Sequence, residues 1–354
     1  MKRLGYLYEQ IYTWENLLTA FRDAKRGKIS ADLSAFEYDW ECKLLEMQSH
    51  LKAQDYRFGA YRHFEIYEPK QRTISCAPFR DRVLHHALCN VIMPILEKSM
   101  IVDSYACRRN KGLHKALRRA FWFYQNSLYH YRLDIKKFFY TIDHQTLLTK
   151  LNRKFKDRKL LSLMEQLLGT YDSGVQYYYP ANESDVCDMV RPRGLPIGNL
   201  TSQLFANFYL NDFDHYVREQ LHFPYYIRYM DDVIVFGDSW ESLKNAVTQI
   251  SSGLAEIRLC PNEKKNYIKK NSQGIDFLGF RLHENRIKLR SRNLVRFRRK
   301  LKSRKVVTDF NQLLRSINGH IGYLSAGHTK KLINSVFGDI EFSNEKRKWK
   351  MVLP

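Results

Sequence analysis

Residues 225–237, YYIRYMDDVIVFG, decide how this chain is to be read. Two runs of aromatic and β-branched residues flank a tight acidic turn, the signature of strand–turn–strand. Neighbouring carboxylates at Asp231 and Asp232 are costly there, because like charges that close raise one another's pKa unless a cation neutralises them. Asp is also a common turn residue, so a plain solvated turn is the alternative. The flanks YYIRY and VIVFG are too apolar for a solvated turn, and the pattern points instead to a bound divalent ion.

Upstream, Asp134 closes the run YRLD and is followed by IKKFFYTID, which puts a third carboxylate at the C-terminal edge of a predicted strand. Taken alone it reads equally well as a helix N-cap; together with the acidic turn it reads as a metal ligand. Three Asp carboxylates and a triphosphate suit Mg²⁺, which prefers oxygen ligands and keeps its geometry through substrate phosphates. Two such ions ~3.5–4 Å apart activate an attacking hydroxyl and stabilise a leaving pyrophosphate.

The composition agrees with a polyanionic partner. Lys and Arg number 59 against 37 Asp and Glu, a net charge of +22, in a chain of 354 residues that is 44% apolar and 14% aromatic. Disorder requires low hydrophobicity together with high charge, and only the charge is high. At ~100–200 residues per domain, the length predicts two or three subdomains. No run approaches the ~20 apolar residues of a membrane span, and MKRLGYLYEQ lacks the apolar stretch of a signal peptide. The six cysteines stand singly, the pattern of reduced intracellular thiols and not of a disulfide framework or zinc site, so a cytoplasmic protein is expected.

Helical spacing predicts two amphipathic helices in the first ~60 residues, one carrying Ile11, Trp14, Leu17, Leu18 and Phe21, the other Phe36, Trp40, Leu44, Met47 and Leu51. A hairpin from YRHFEIYE to RTISCAP follows, with EPKQ as its turn, then helices over RDRVLHHALCNVIMPILEKSM and GLHKALRRAFWFYQN. The middle third alternates strand and helix, with one long helix over IGNLTSQLFANFYLNDFDHYVREQ. A further helix begins at Trp240, and IDFLGFRLHENRIKLR reads as a second hairpin with ENR at its turn. The basic tail from Ser291 is helical. Mixed strands and helices followed by an all-α module define an α+β class.

Taken together these segments resemble a known family. Asp134 in LDIKKFF, GLPIGNLTSQ at residues 194–203, YMDD, the Lys pair in PNEKKNYI and FLGFRL are similar to the ordered palm motifs of reverse transcriptases. PKQRTISCAPFRDRV and SYACRRNKG are similar to the fingers motifs of the bacterial, group-II-intron-like branch. Most members carry Gln-Gly and a later Ser-Pro in the second palm motif; here Ile197-Gly198 and Ser202-Gln203 stand instead. The form IGNLTSQ resembles the reverse transcriptases of diversity-generating retroelements, which copy a template RNA with deliberate errors at adenines.

The resemblance implies a right-hand polymerase fold with a helical C-terminal thumb: an N-terminal helical extension over 1–60, fingers over 61–130, palm over 131–283 with inserted helices at about 144–192, and thumb over 284–354. It implies that Asp134, Asp231 and Asp232, with the carbonyl of Ile135, hold two Mg²⁺ ions, Mn²⁺ being a possible substitute. Phe139, beside Phe138, becomes the gate against a ribose 2′-hydroxyl. Lys70 and Arg72 grip the triphosphate, with Arg82 and Arg108 as neighbours, and Ile197, Gly198 and Gln203 line the nucleotide site. Lys264 or Lys265 donates a proton to pyrophosphate. Tyr229, Met230, Leu278 and Gly279 contact the primer strand, the last two within a primer grip at 277–282.

Ile197 carries a physical argument of its own. A Gln there can hydrogen-bond near the nascent base pair, whereas Ile offers only shape, so a mismatch leaves no buried group unpaired and fidelity falls. In the tail, Arg292, Arg296, Arg299 and Lys300 belong to a cationic run that tracks a phosphate backbone. About 70 residues follow the primer grip, room for a thumb but none for an RNase H domain. The expected partners are template RNA, an RNA/DNA duplex, dNTPs, a small basic accessory protein and the retroelement's structured RNA, in a bacterial or phage-encoded setting. The rivals are the reverse transcriptase of a retron, a group II intron-like element or a phage-defence system, and a catalytically silent RNA-binding scaffold.

Overall fold

Local sequence signals start several of the helices. The Thr13 hydroxyl accepts the Asn16 N–H and opens helix Trp14–Lys25; the Ser30 hydroxyl accepts the Leu33 N–H and opens Ala31–Glu37. Such side-chain caps satisfy donors that the first helical turn leaves unpaired. The computed structural model describes residues 3–67, 71–175, 191–303, 306–307, 310–337, 341–345 and 348–352. The chain divides into two compact units, one of residues 1–102, 134–222 and 248–264, the other of 103–133, 223–247 and 265–354.

In the first unit the N-terminal helices pack on Phe79–Glu97, whose buried residues include Phe79, Val83, Leu84, Leu88 and Ile92. The rings of Phe21, Phe36 and Phe79 lie with centroids 5.1–6.1 Å apart. The second amphipathic helix expected over Phe36–Leu51 is two helices, Ala31–Glu37 and Trp40–Ala53. Asp39, at φ −137° and ψ 40°, leaves helical geometry and lets Phe36 turn inward separately. Strands β1 (Arg62–Ile66) and β2 (Arg72–Cys76) form the expected hairpin, with Arg62 opposite Cys76 and Ile66 opposite Arg72. Its tip, with Lys70, lies outside the described residues. The single long helix expected over 197–220 begins only at Leu200 and is three pieces: Leu200–Tyr209, Asn211–His215 and a π-helical turn, Tyr216–Gln220. No Gly or Pro marks the break. The wider turn places the Tyr216 ring against Gly253, where an added Cβ would lie 2.8 Å away.

The second unit is built on the sheet of β3 (Tyr129–Asp134, of which 129–133 lie in this unit), β4 (Tyr226–Tyr229), β5 (Asp232–Gly237) and β6 (Tyr267–Lys270), in the order β4-β5-β3-β6. Helix Leu113–Gln125 lays Ala116, Leu117, Ala120 and Phe123 on Ile227, Ile234 and Phe236 of this sheet. Full burial of each large apolar side chain contributes about 1.5–3 kcal/mol. The segment read as one hairpin is a three-stranded meander, β7 (Ile275–Phe277), β8 (Phe280–His283) and β9 (Arg286–Leu289). The overlooked turn is Leu278-Gly279, both residues at positive φ (49° and 87°), the backbone of a type I′ hairpin. Helices Ser291–Ser303, Phe310–Leu324 and Lys330–Phe337 follow. Three strands that helical spacing does not announce, β10 (Val306–Val307), β11 (Glu341–Glu345) and β12 (Lys348–Val352), pair in the order β10-β12-β11.

Candidate active site

The register of β4 and β5 pairs Tyr229 with Asp232, so Met230 and Asp231 are the two loop residues of the hairpin. Met230 has φ 60°, at the position where two-residue hairpins commonly place glycine. A left-handed non-glycine residue costs about 1–2 kcal/mol. Its carbonyl is held from beneath: the Arg228 guanidinium, fully buried, donates Nη1–H to the Met230 oxygen at 3.2 Å. Arg228 is fixed in turn by its backbone, which donates to the Asp103 carbonyl and accepts from the Tyr105 N–H, both at 3.0 Å. The buried Asp103 carboxylate is paired with Arg119 at 3.0 Å. Sequence reasoning passed over Arg228; the signal was a lone cation in an otherwise apolar strand, three residues before Asp231.

Asp232 opens β5, and its carboxylate receives Nη2 of Arg132 at 3.1 Å from Oδ1 and 3.0 Å from Oδ2. The other terminal nitrogen of Arg132 donates to the Asp276 carbonyl. Burial opposes the charge on Arg132, but Asp232, Tyr267 and Asp276 outweigh it and hold its pKa above the ordinary arginine value. Asp134 is the last residue of β3, the strand beside β5 in the sheet. Asn262 donates to the Asp134 carbonyl from its backbone at 2.8 Å and to Oδ2 from its side chain at 2.9 Å. The next residues are pinned as well: Ile135 is buried and bridges to Pro261, and the Lys136 N–H donates to the Cys260 carbonyl at 3.0 Å.

Phe138 is buried and Phe139 half-buried in the short helix Phe138–Thr141, their rings edge-on at 5.7 Å. The Phe139 carbonyl accepts the Leu195 N–H at 2.7 Å. Ile197 is half-buried, and its carbonyl accepts the Ser75 N–H at 2.9 Å, fastening the loop before Leu200 to β2. Gly198 follows at φ 119°, and a Cβ there would meet the Ile74 side chain at 2.9 Å, so only glycine fits. Beside it lies a cavity of about 350 Å³ whose lining includes Gly198, Asn199, Gln203, Ile74, Arg82 and the buried His85. Arg82 is tied to Asp32 at 3.3 Å.

Arg72 is exposed at the start of β2, Arg108 donates to the Ser104 carbonyl at 2.8 Å, and Lys264 and Lys265 are both exposed. The Leu278-Gly279 turn is gripped by two residues that sequence reasoning missed. Asn293 donates to the Gly279 carbonyl at 3.0 Å, and the Tyr323 hydroxyl donates to the Leu278 carbonyl at 3.2 Å. On helix Ser291–Ser303, Arg292 and Arg299 are exposed and Arg296 is half-buried; the Lys300 side chain lies outside the described residues. None of the five described cysteines is in a disulfide.

The carboxylates at these strand ends offer oxygen donors, the chemistry that suits Mg²⁺. Among the described residues no group of three His, Cys, Asp or Glu side chains stands close enough to hold a metal ion, and Arg132 already neutralises Asp232. The carboxylates fit the ion in donor type alone.

Residues 67–282 match the model of the family described as reverse transcriptase (RNA-dependent DNA polymerase). The chain belongs to the reverse transcriptase family. Its fold is accordingly the mixed α and β right-hand polymerase fold of that family. It is 23% identical to protein YkfC of Escherichia coli K12 over 266 residues, 61% of this chain and 65% of that one. It is 29% identical over 156 residues to the group II intron-encoded protein LtrA of Lactococcus lactis, 42% of this chain and 23% of that one. Apo telomerase from Candida tropicalis aligns over 66% of this chain and 49% of its own, with a TM-score of 0.48 and 11% identity. This reverse transcriptase chain thus spans about two thirds or less of the relatives it matches. Among the described residues no helix is long and apolar enough to cross a membrane.

Proposed function

We propose that the chain is an RNA-directed DNA polymerase that performs two-Mg²⁺ nucleotidyl transfer on Asp134, Asp231 and Asp232. The observation that carries this is the acidic two-residue loop of the β4–β5 hairpin, with Met230 at φ 60° and Asp232 opening the strand beside the one that Asp134 closes. When bound, the two ions lower the pKa of a primer 3′-hydroxyl and neutralise the leaving pyrophosphate. The chain's own residues do the rest. Arg228 fixes the loop that presents Asp231, and Asn262 fixes the orientation of the Asp134 carboxylate. Phe139 excludes a ribose 2′-hydroxyl, and Arg72 with Lys70 offers cationic donors to the triphosphate. Lys264 or Lys265 returns a proton to pyrophosphate. The Leu278-Gly279 turn, backed by Asn293 and Tyr323, supports the primer strand. In this reading the fingers comprise 61–130, the palm 131–283 and the thumb 284–354, whose Arg292, Arg296 and Arg299 follow the duplex backbone.

The finer reading is mutagenic cDNA synthesis in a diversity-generating retroelement, with the element's structured RNA and a small basic accessory protein as partners. It is supported by Ile197-Gly198 within IGNLTSQ, where the Ser75 bond to the Ile197 carbonyl fixes an apolar side chain in place of an amide. The test is primer extension with dNTPs and Mg²⁺ on a defined RNA, with sequencing of the products. DNA copies with errors concentrated opposite adenine are expected, and Ile197→Gln lowers that error rate. Faithful copies point instead to a retron, intron-like or defence enzyme, and no extension refutes the polymerase.

A further inference from the structure

The guanidinium of Arg132 stands where a cation chelated by Asp232 would bind. A single nitrogen, Nη2, lies nearly equidistant from both carboxylate oxygens, at 3.1 and 3.0 Å, astride the carboxylate instead of forking to one oxygen each. The arm is not a loose surface chain that happens to reach across. Its other terminal nitrogen is committed to the Asp276 carbonyl, and the Arg132 and Asp232 side chains are only 20% and 22% exposed. Two positive charges cannot share that face of one carboxylate without repulsion.

We infer that Arg132 is the resident counter-ion of Asp232, so that a divalent ion enters this carboxylate by exchange against Arg132 and not into an empty site. The inference rests on the reading of Asp232 as a metal ligand. Its consequence is a resting site of deliberately low affinity. The internal cation offsets much of the attraction that a bare Asp231–Asp232 pair would exert on Mg²⁺, while an incoming triphosphate, bringing its own negative charge, tips the exchange. Metal loading then follows nucleotide arrival. Arg132 is in this account a positioning residue: it acts through Asp232 and touches no reacting atom.

The probe is Mn²⁺ alone, followed by electron paramagnetic resonance titration of the full chain without nucleotide or nucleic acid. Removing a charge-assisted hydrogen bond of this kind changes binding by about tenfold or more. Arg132→Gln is therefore expected to tighten Mn²⁺ binding about tenfold or more and to lower the Mg²⁺ concentration needed for half-maximal primer extension. In an Asp232→Asn background the same substitution is expected to leave Mn²⁺ affinity unchanged. Unaltered or weaker Mn²⁺ binding by Arg132→Gln overturns the inference, since a purely structural arginine would loosen the site when removed. If Arg132→Gln does not fold, Arg132→Met serves, because it keeps the length and apolar stem while removing the charge; it too should tighten Mn²⁺, and no change refutes the exchange. Asp232→Asn alone separates the two readings. If it leaves Mn²⁺ affinity intact, Asp232 is no ligand; if it weakens binding while Arg132→Gln does nothing, only the counter-ion role fails.

Discussion

Burying the Arg228 guanidinium is costly, and the structure commits it to the backbone of the acidic loop. The left-handed Met230 persists because its carbonyl has a donor fixed from two sides by the 103–105 segment. Arg228→Met keeps length and apolar bulk but removes that donor, leaving a carbonyl unsatisfied at a cost of about 1–3 kcal/mol. The variant should melt at a lower temperature and lose kcat in primer extension by about tenfold or more, while KM for dNTP stays within about twofold. A melting loss with kcat untouched would reduce Arg228 to a structural role. The places of Asp134, Asp231 and Asp232 at strand ends and in the loop were legible from sequence, because apolar runs bracket them; their role as ligands belongs to the proposal. Arg132 and Arg228 were not legible, since a single Arg within a strand gives no hint of which carboxylate or carbonyl it will reach.

Turns and caps separate what the sequence shows about elements from what it hides. The β4–β5 hairpin was readable because apolar runs bracket two residues, whereas the Leu278-Gly279 turn was hidden inside a continuous apolar run, with leucine at a positive φ. The break after Tyr209 and the π turn after His215 carry no Gly or Pro, and the contact that favours them, Tyr216 on Gly253, is distant in sequence. Gly279 is at φ 87° and closely flanked by Tyr323 and Asn293, so a methyl there has neither allowed backbone nor room. Gly279→Ala is expected to cost about 2 kcal/mol or more, read as a fall in melting temperature, and to weaken primer-duplex binding. Gly319→Ala is the control, in the interior of helix Phe310–Leu324 with nothing within 4 Å of the added Cβ, and should stabilise by roughly 0.5–1 kcal/mol. Equal effects at the two glycines would contradict the pinned-turn description.

Across the chain, buried histidines make stability fall toward acid pH. Burial pulls the pKa of His85 down to about 3, helped by the charges of His86 and Arg82, and burial likewise lowers His130 to about 4 against a partly compensating bond from Asn271. Both pKa values are lower folded than unfolded, so below about pH 6.5 the unfolded chain takes up protons that the folded chain refuses. Stability from each is whole above that pH and drains away as pH falls toward the folded value, about 2 kcal/mol apiece by pH 5. Urea midpoints at pH 7 and pH 5 should show this drop, and His85→Phe should flatten it; a midpoint constant across that range would contradict the burial described. The net charge of +22 pointed from the start to a polyanion, and motif order pointed to the family; the two-unit division could not be read from composition.

If the acidic loop is the catalytic metal site, the double variant Asp231→Ala/Asp232→Ala loses polymerisation. Extension of a primer on an RNA template with dNTPs and Mg²⁺ should fall by about a thousandfold or more, while the fold and RNA binding are retained. Extension by the double variant at the rate of the unmodified chain would contradict the account.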